Sequence, residues 1–247
     1  MTLLAITFIS LLFVGIGFTI TEKNAPYLLA GYNTMSKEEQ ELVDLKGLLI
    51  FFKKFHVVLG ASQAIIGYTL YLLDFKESLS LFLGTYSIVG YIYFIIRSAH
   101  FKSNKNENWK IYLGVVVLSL CLIGILGTFY YSSLDNKLTL EKNQLVISGM
   151  YGEKISLDNI ESIQLDEGLP TITKRTNGFS TNTHQKGYFK TEENKLVKLI
   201  INKQKIQFIF IDKKKGKDIY YNNTDKNLNE IFSALKNSLK PILFDEE

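Results

Sequence analysis

Few residues in this chain have the type and spacing that chemistry needs. Asp166 and Glu167 stand side by side at a predicted strand end, and paired carboxylates can do acid–base work. No histidine or nucleophile accompanies them, and adjacent acids at a turn are ordinarily solvated, so no reaction is assigned to them. His56, His100 and His184 are too scattered to suggest a shared site. Cys121 is the single cysteine and lies within an apolar run, which leaves it without a disulfide or metal-type partner. The expectation is a protein that is not an enzyme, with no catalytic residue, no metal and no cofactor. Binding is the better prospect. Thr173-Lys-Arg-Thr-Asn-Gly-Phe179 sits in a polar loop predicted over residues 169–185, where Lys174 and Arg175 offer anion-binding donors and Gly178 and Phe179 complete the candidate site. Lys213-Lys-Lys-Gly-Lys217 is a second basic turn; it either touches anionic headgroups or is a solvated connection, the commoner case.

The other distinctive polar stretch is Leu29-Ala-Gly-Tyr-Asn-Thr-Met-Ser-Lys-Glu-Glu-Gln40, between two apolar runs. Gly31 and Asn33 are turn residues, with Tyr32 between them. Ser36 and Glu39 have the spacing of a capping box, and Leu42, Leu45 and Leu49 recur at helical spacing behind it. This predicts a tight turn followed by an amphipathic helix over 36–49 at the membrane interface. The stretch is either a connector or a recognition element; Gly31, Tyr32, Asn33, Ser36 and Glu39 are the residues that the second reading would use.

These candidates must be positioned by two different kinds of element. Hydrophobic residues make up 47% of the chain and charged residues 21%, but the apolar ones form long blocks before Asp135 and the charged ones dominate after it. Four blocks approach the roughly 20 apolar residues that a helix needs to cross a bilayer: about 2–20, 55–73, 79–96 and 111–131. A cleavable signal peptide is the rival for the first, but it lacks a basic start and a small-x-small site before Glu22. It is therefore read as a retained span. Trp109, Tyr112, Tyr130 and Tyr131 fall at span ends, where amphipathic rings favour the headgroup level. Arg97, Lys102, Lys105 and Lys110 against Glu107 put the third connection in the cytoplasm, and the lysine-rich first connection agrees. Four spans then place the N-terminus and the C-terminal half outside the cell membrane. Scarce ionisable groups in the spans argue against a coupled carrier, His56 reads as interfacial, and the glycines suit close helix packing or a homo-oligomer.

The N-terminal span, the Leu28-to-Glu39 motif and Asp44-Leu-Lys-Gly47 resemble an uncharacterised family of small bacterial membrane proteins, domain of unknown function 3784. That resemblance covers roughly the first hundred residues. It implies a multi-span bacterial membrane protein and brings no activity.

From Asp135 the pattern turns to short alternations. Lys137–Glu141 and Gln144–Ser148 flank Lys142-Asn143 as a hairpin, followed by strands at 153–157, 160–165, 186–190, 196–201, 205–211 and 217–221. Asn202–Lys205 is the predicted turn of a second hairpin. Leu228, Ile231, Phe232, Leu235 and Leu239 share a helix face that Pro241 ends. Seven or eight antiparallel strands and one helix give a small β-barrel or sandwich plugged at one end. Ile155-Ser-Leu-Asp-Asn-Ile-Glu-Ser-Ile163, Lys186-Gly-Tyr-Phe189, Lys217-Asp-Ile-Tyr-Tyr-Asn222 and the final helix resemble a bacterial pleckstrin-homology-like domain. The resemblance implies a binding or scaffold module over residues 135–240. The expected organisation is a four-helix membrane bundle over 1–133, this β domain, and a tail over 241–247. Its partners would be the lipid bilayer and a protein, a peptide or an envelope lipid; a small transport or channel component is the alternative. Nucleic acid is excluded as a partner, because the C-terminal half carries 18 basic against 16 acidic side chains.

Overall fold

The computed structural model describes residues 2–101, 108–181, 183–224 and 228–239. Lys102, Lys105 and Glu107 of the basic connection, and Pro241 with the tail, lie outside the described residues. The chain divides into two compact units, Met1–Gly127 and Thr128–Glu247.

The first unit is built on α1 (Thr2–Thr19), α4 (Leu45–Leu72), α5 (Lys76–Ser98) and most of α6 (Asn108–Ser133), with the short α2 (Ala25–Leu28) and α3 (Lys37–Glu41) between the first two. Four stretches, Thr2–Thr19, Leu45–Leu72, Glu77–Phe101 and Ile111–Ser133, are long and apolar enough to cross a bilayer. The chain is therefore a multi-pass membrane protein. Helices α1 and α4 form the tightest pair. Ile6, Ser10, Phe13 and Gly17 recur every three to four residues and make the buried face of α1. Small residues let the backbones meet: a Cβ on Gly60 would lie 2.5 Å from the Ser10 carbonyl, and one on Gly17 3.1 Å from that of Lys53.

The predicted interfacial helix is shorter than expected. Ser36 and Glu39 do close a capping box, but α3 ends at Glu41. A second cap, Asp44 accepting from the Gly47 amide at 3.0 Å, then starts a new helix, so Leu45 and Leu49 belong to α4. The amide of Asp44 is also drawn away, to the Phe101 carbonyl at 2.9 Å. Two competing N-caps eight residues apart break what the leucine spacing reads as one helix.

The second unit holds two sheets. Strands β1 (Leu138–Glu141), β2 (Gln144–Ile147) and β3 (Glu153–Ser156) form an antiparallel meander, with Glu141 opposite Gln144 at the predicted hairpin. The other six are β4 (Ile160–Asp166), β5 (Ile172–Ser180), β6 (His184–Thr191), β7 (Leu196–Asn202), β8 (Phe208–Lys213) and β9 (Ile219–Tyr221), in the order β4-β8-β9-β7-β6-β5. Helix α7 (Leu228–Ser238) follows.

Three expectations are corrected here. The sheets do not close into a barrel. The loop predicted over 169–185 is largely strand β5, because a stretch that reads as polar in isolation, Thr173–Asn177, finds a ladder partner in β6. The Asn202–Lys205 turn does not join neighbouring strands: β9 inserts between β7 and β8, parallel to the first and antiparallel to the second. Asn222 fills the gap, accepting from the Asn202 amide and donating to the Gln207 carbonyl at 3.1 Å. The main core joins Leu145, Ile147 and Ile155 of the small sheet to Ile209, Ile211 and Ile219 of the large one and to Leu235 of α7. Phe189, Val197, Leu199, Ile201 and Phe208 form a second cluster.

Candidate functional site

The predicted binding residues all lie on β5, the outer strand of the larger sheet. Lys174 and Arg175 are exposed, whereas Gly178 and Phe179 are half-buried. Two register shifts, between Ile172 and Lys174 and between Arg175 and Asn177, break the ladder with β6. The Thr173 and Thr176 hydroxyls repair it by donating to carbonyls of β6, at 3.1 Å to Lys190 and 2.9 Å to Tyr188. Such bulges blunt an edge against strand addition and re-aim its side chains. Lys174 is left directly opposite Lys190. Like charges in that position are destabilising by about 0.2–1 kcal/mol. Among the described residues neither lysine has a carboxylate partner. Gly178 faces Gly187, and an added Cβ on Gly187 (φ 126°) would lie 2.4 Å from the Asn177 carbonyl, so β5 and β6 approach too closely there for any side chain.

Sequence reasoning missed a buried polar clamp in the same unit. His184 Nε2 and Asp135 Oδ1 are 2.9 Å apart, and Asp135 Oδ2 accepts from the Thr224 amide at 3.0 Å and from its hydroxyl. Burial alone would raise the Asp135 carboxyl, but the bonds from Thr224 and His184 outweigh it and hold it below the ordinary range. Lys186 is 1% exposed and its Nζ donates to the Leu134 carbonyl. Burial pushes its amine down to about 8, against the opposing pull of Asp135. Asn136 donates to the Ser148 and Met150 carbonyls, and its own carbonyl accepts from the Tyr221 hydroxyl at 2.9 Å. These groups are spent on fixing residues 134–136. No spacing rule would have joined Asp135 to His184 and Thr224, because sheet topology alone brings them together.

Two charged clusters complete the β unit. Glu153 accepts from Lys198 at 2.5 Å and from Lys213 at 2.6 Å, and both lysine side chains are about 5% exposed or less. Burial raises the Glu153 carboxyl, but the two lysines overcome this and keep it low. Lys213, the first residue of the predicted basic turn, is thus structural. A cavity of about 490 Å³ is lined by Glu192, Glu193, Lys195, Phe210, Asp218 and Tyr220, among others. Lys195 is held by Asp218 at 2.6 Å. Burial and the surrounding carboxylates push the Tyr220 phenol up to about 12. Asp166 and Glu167 are ordinary turn acids, accepting from the Gly168 amide and from Gln207.

In the membrane unit, the Gly31 turn forms with φ 80°, Tyr32 is buried, and its carbonyl accepts from Gln40 at 3.0 Å. Asn33 reaches the Tyr27 carbonyl at 3.4 Å. The motif packs on Leu48 and Phe52 of α4, so much of its sequence is explained by its own folding. His56 is buried against α5. It is 1% exposed, with Nδ1 2.8 Å from the Phe52 carbonyl and Nε2 3.1 Å from the Tyr91 hydroxyl. Thr7 and Tyr68 meet at 2.6 Å, and Ser62 and Tyr86 at 2.6 Å. Ser10 and both amide atoms of Gln63 are buried without a hydrogen-bond partner.

The family described as "Domain of unknown function (DUF3784)" matches residues 7–102, the stretch from α1 to just beyond α5. No curated protein and no solved structure matches the chain. No pleckstrin-homology-like family is identified over the β unit.

Proposed function

We infer that the protein is a non-catalytic, membrane-anchored binding module whose β unit recruits an acidic segment of a protein or peptide through strand β5. One observation carries this reading: Lys174 and Lys190 face each other across β5 and β6 without a carboxylate between them. An anionic group placed there relieves their repulsion, and Arg175, the next residue and so on the other face of the strand, offers a planar donor to a carboxylate of a segment that wraps the edge. The bulges favour recognition by side chains over pairing of strands. A non-catalytic role fits the clamp, in which Lys186 and His184 hold residues 134 and 135. The order of strands followed by a terminal helix supports a pleckstrin-homology-like scaffold, although the open sheets depart from its barrel. Parity of four spans puts the N-terminus and the β unit on one side, and the lysine-rich first connection favours the outside.

The test is a photo-crosslinker at the exposed Ser180 of the full chain, in cells. The unaltered surface gives an adduct with an acid-rich partner, and Lys174→Gln with Arg175→Gln abolishes it. An adduct indifferent to both changes overturns the reading, and a lipid adduct replaces the peptide with an envelope lipid.

A second reading, in which the bundle is a small transport or channel component, rests on the unpartnered Ser10 and Gln63 between α1 and α4.

A further inference from the structure

The face between α4 and α5 carries a groove of about 510 Å³. Phe51, Phe55, Val89 and Tyr93 wall it, and Ser62 with Tyr86 lies at its far end. Lys54 and Arg97 stand at its mouth, both exposed, and neither forms an ion pair among the described residues. Lys54 stands in the third turn of α4 and Arg97 in the last turn of α5, and both line the same groove. Depth matters as much as charge. Tyr86 and Arg97 are eleven residues apart on one helix, about 16 Å at 1.5 Å per residue. One leaflet of bilayer hydrocarbon is about 15 Å thick. With its two cations at the headgroup level, a groove of this length would reach about the bilayer midplane.

We propose that this groove is a binding site for an anionic phospholipid, with the headgroup phosphate held between Lys54 and Arg97 and an acyl chain lying against Phe55, Val89 and Tyr93. A long lysine side chain reaches the headgroup while its stem covers apolar surface. The guanidinium supplies two parallel donors to the phosphate oxygens. An apolar groove alone accepts any lipid tail; the cationic mouth selects the headgroup. Lys46 and Lys53 provide an internal comparison, since they lie on α4 towards the same end but do not line the groove. Lys53 instead lies 4.3 Å from the centre of the Phe18 ring.

The full chain is placed in bilayers of equimolar phosphatidylcholine and phosphatidylglycerol, extracted in mild detergent, and weighed by native mass spectrometry with its bound lipid. Phosphatidylglycerol is expected to be retained over phosphatidylcholine. Lys54→Gln with Arg97→Gln should lower that preference about twenty- to thirty-fold, near five-fold for each charge. Val89→Trp fills the groove with both charges in place and should reduce retention of either lipid. Lys46→Gln with Lys53→Gln should cost far less of the preference, since neither residue lines the groove. Equal retention of the two lipids, indifference to Val89→Trp, or an equal loss in the Lys46 and Lys53 variant would each overturn the site. The last outcome would mean diffuse attraction to the basic end of the bundle.

Discussion

The two units treat buried polarity in opposite ways. In the β unit, buried charges are gathered into closed sets: Glu153 serves two lysines, Asp135 serves His184 and Thr224, and Asp218 serves Lys195 and the Lys213 amide. In the bundle, buried polar groups are neutral and mostly paired through hydroxyls, as in Thr7 with Tyr68 and His56 with Tyr91. Among the described residues Ser10 and Gln63 are the exceptions. The surroundings explain the contrast. An ion inside a β core needs only its counter-ion and a few hydrogen bonds. At the centre of a membrane span an ion has no nearby water to fall back on, so short neutral pairs are the cheaper solution.

The comparison is broken most severely at Glu153. Glu153→Ala leaves Lys198 and Lys213 buried and unpaired, and the β unit should lose about 3–5 kcal/mol. Denaturant unfolding of the full chain in detergent, followed in the β unit by hydrogen exchange, measures the loss. Glu153 has a lowered folded pKa, so its contribution is present above the ordinary glutamate range and disappears as pH falls through the folded value. The variant should therefore lack that part of the acid-side loss.

Lys186 tests the same principle with the opposite sign. Its folded pKa of about 8 lies below the unfolded value, so between these two the unfolded chain binds more protons and stability rises with pH. Lys186→Met removes that rise. The difference between the unaltered chain and the variant should change by about 2–3 kcal/mol from below pH 8 to above pH 10, a span set by about 1.4 kcal/mol per unit. A flat difference would show that the amine is paired well enough to stay charged.

The legible part of this molecule was whatever its local chemistry decides. Long apolar runs fixed the spans, and the Ser36–Glu39 box formed as its spacing predicts. Alternation located β1, β2, β4 and β7 closely. What the sequence concealed depends on partners distant along the chain. The polarity of Lys174-Arg-Thr-Asn177 reads as loop until β6 supplies its ladder. Pairing of β7 with β9 cannot be inferred from the turn at Asn202, because β9 lies beyond β8 in sequence. The partner of His56 is equally hidden, because only the fold brings Tyr91 to it. Lys174 and Arg175 were found for their charge, and the structure adds the lysine opposite Lys174, which no local pattern shows.

The smallest expected effect falls on Gln63, one of the two exceptions in the bundle. An unsatisfied buried amide costs about 1–3 kcal/mol, while an apolar group of similar shape costs little or stabilises. If Gln63 only fills the α1–α4 seam, Gln63→Leu should stabilise the bundle by about 1 kcal/mol, read from its thermal unfolding in detergent. A bound water or polar permeant at Ser10 and Gln63 predicts the reverse, because the natural amide is then satisfied and leucine removes the partner. The sign of this one change separates a bundle that is only an anchor from one that handles a polar guest. Gly60 marks how closely the helices already meet beside this site: an added Cβ there would lie 2.5 Å from the Ser10 carbonyl, so any larger residue would part them. Either Gln63 remains a cost that function repays, or stability was sacrificed there for no gain, and leucine tells which.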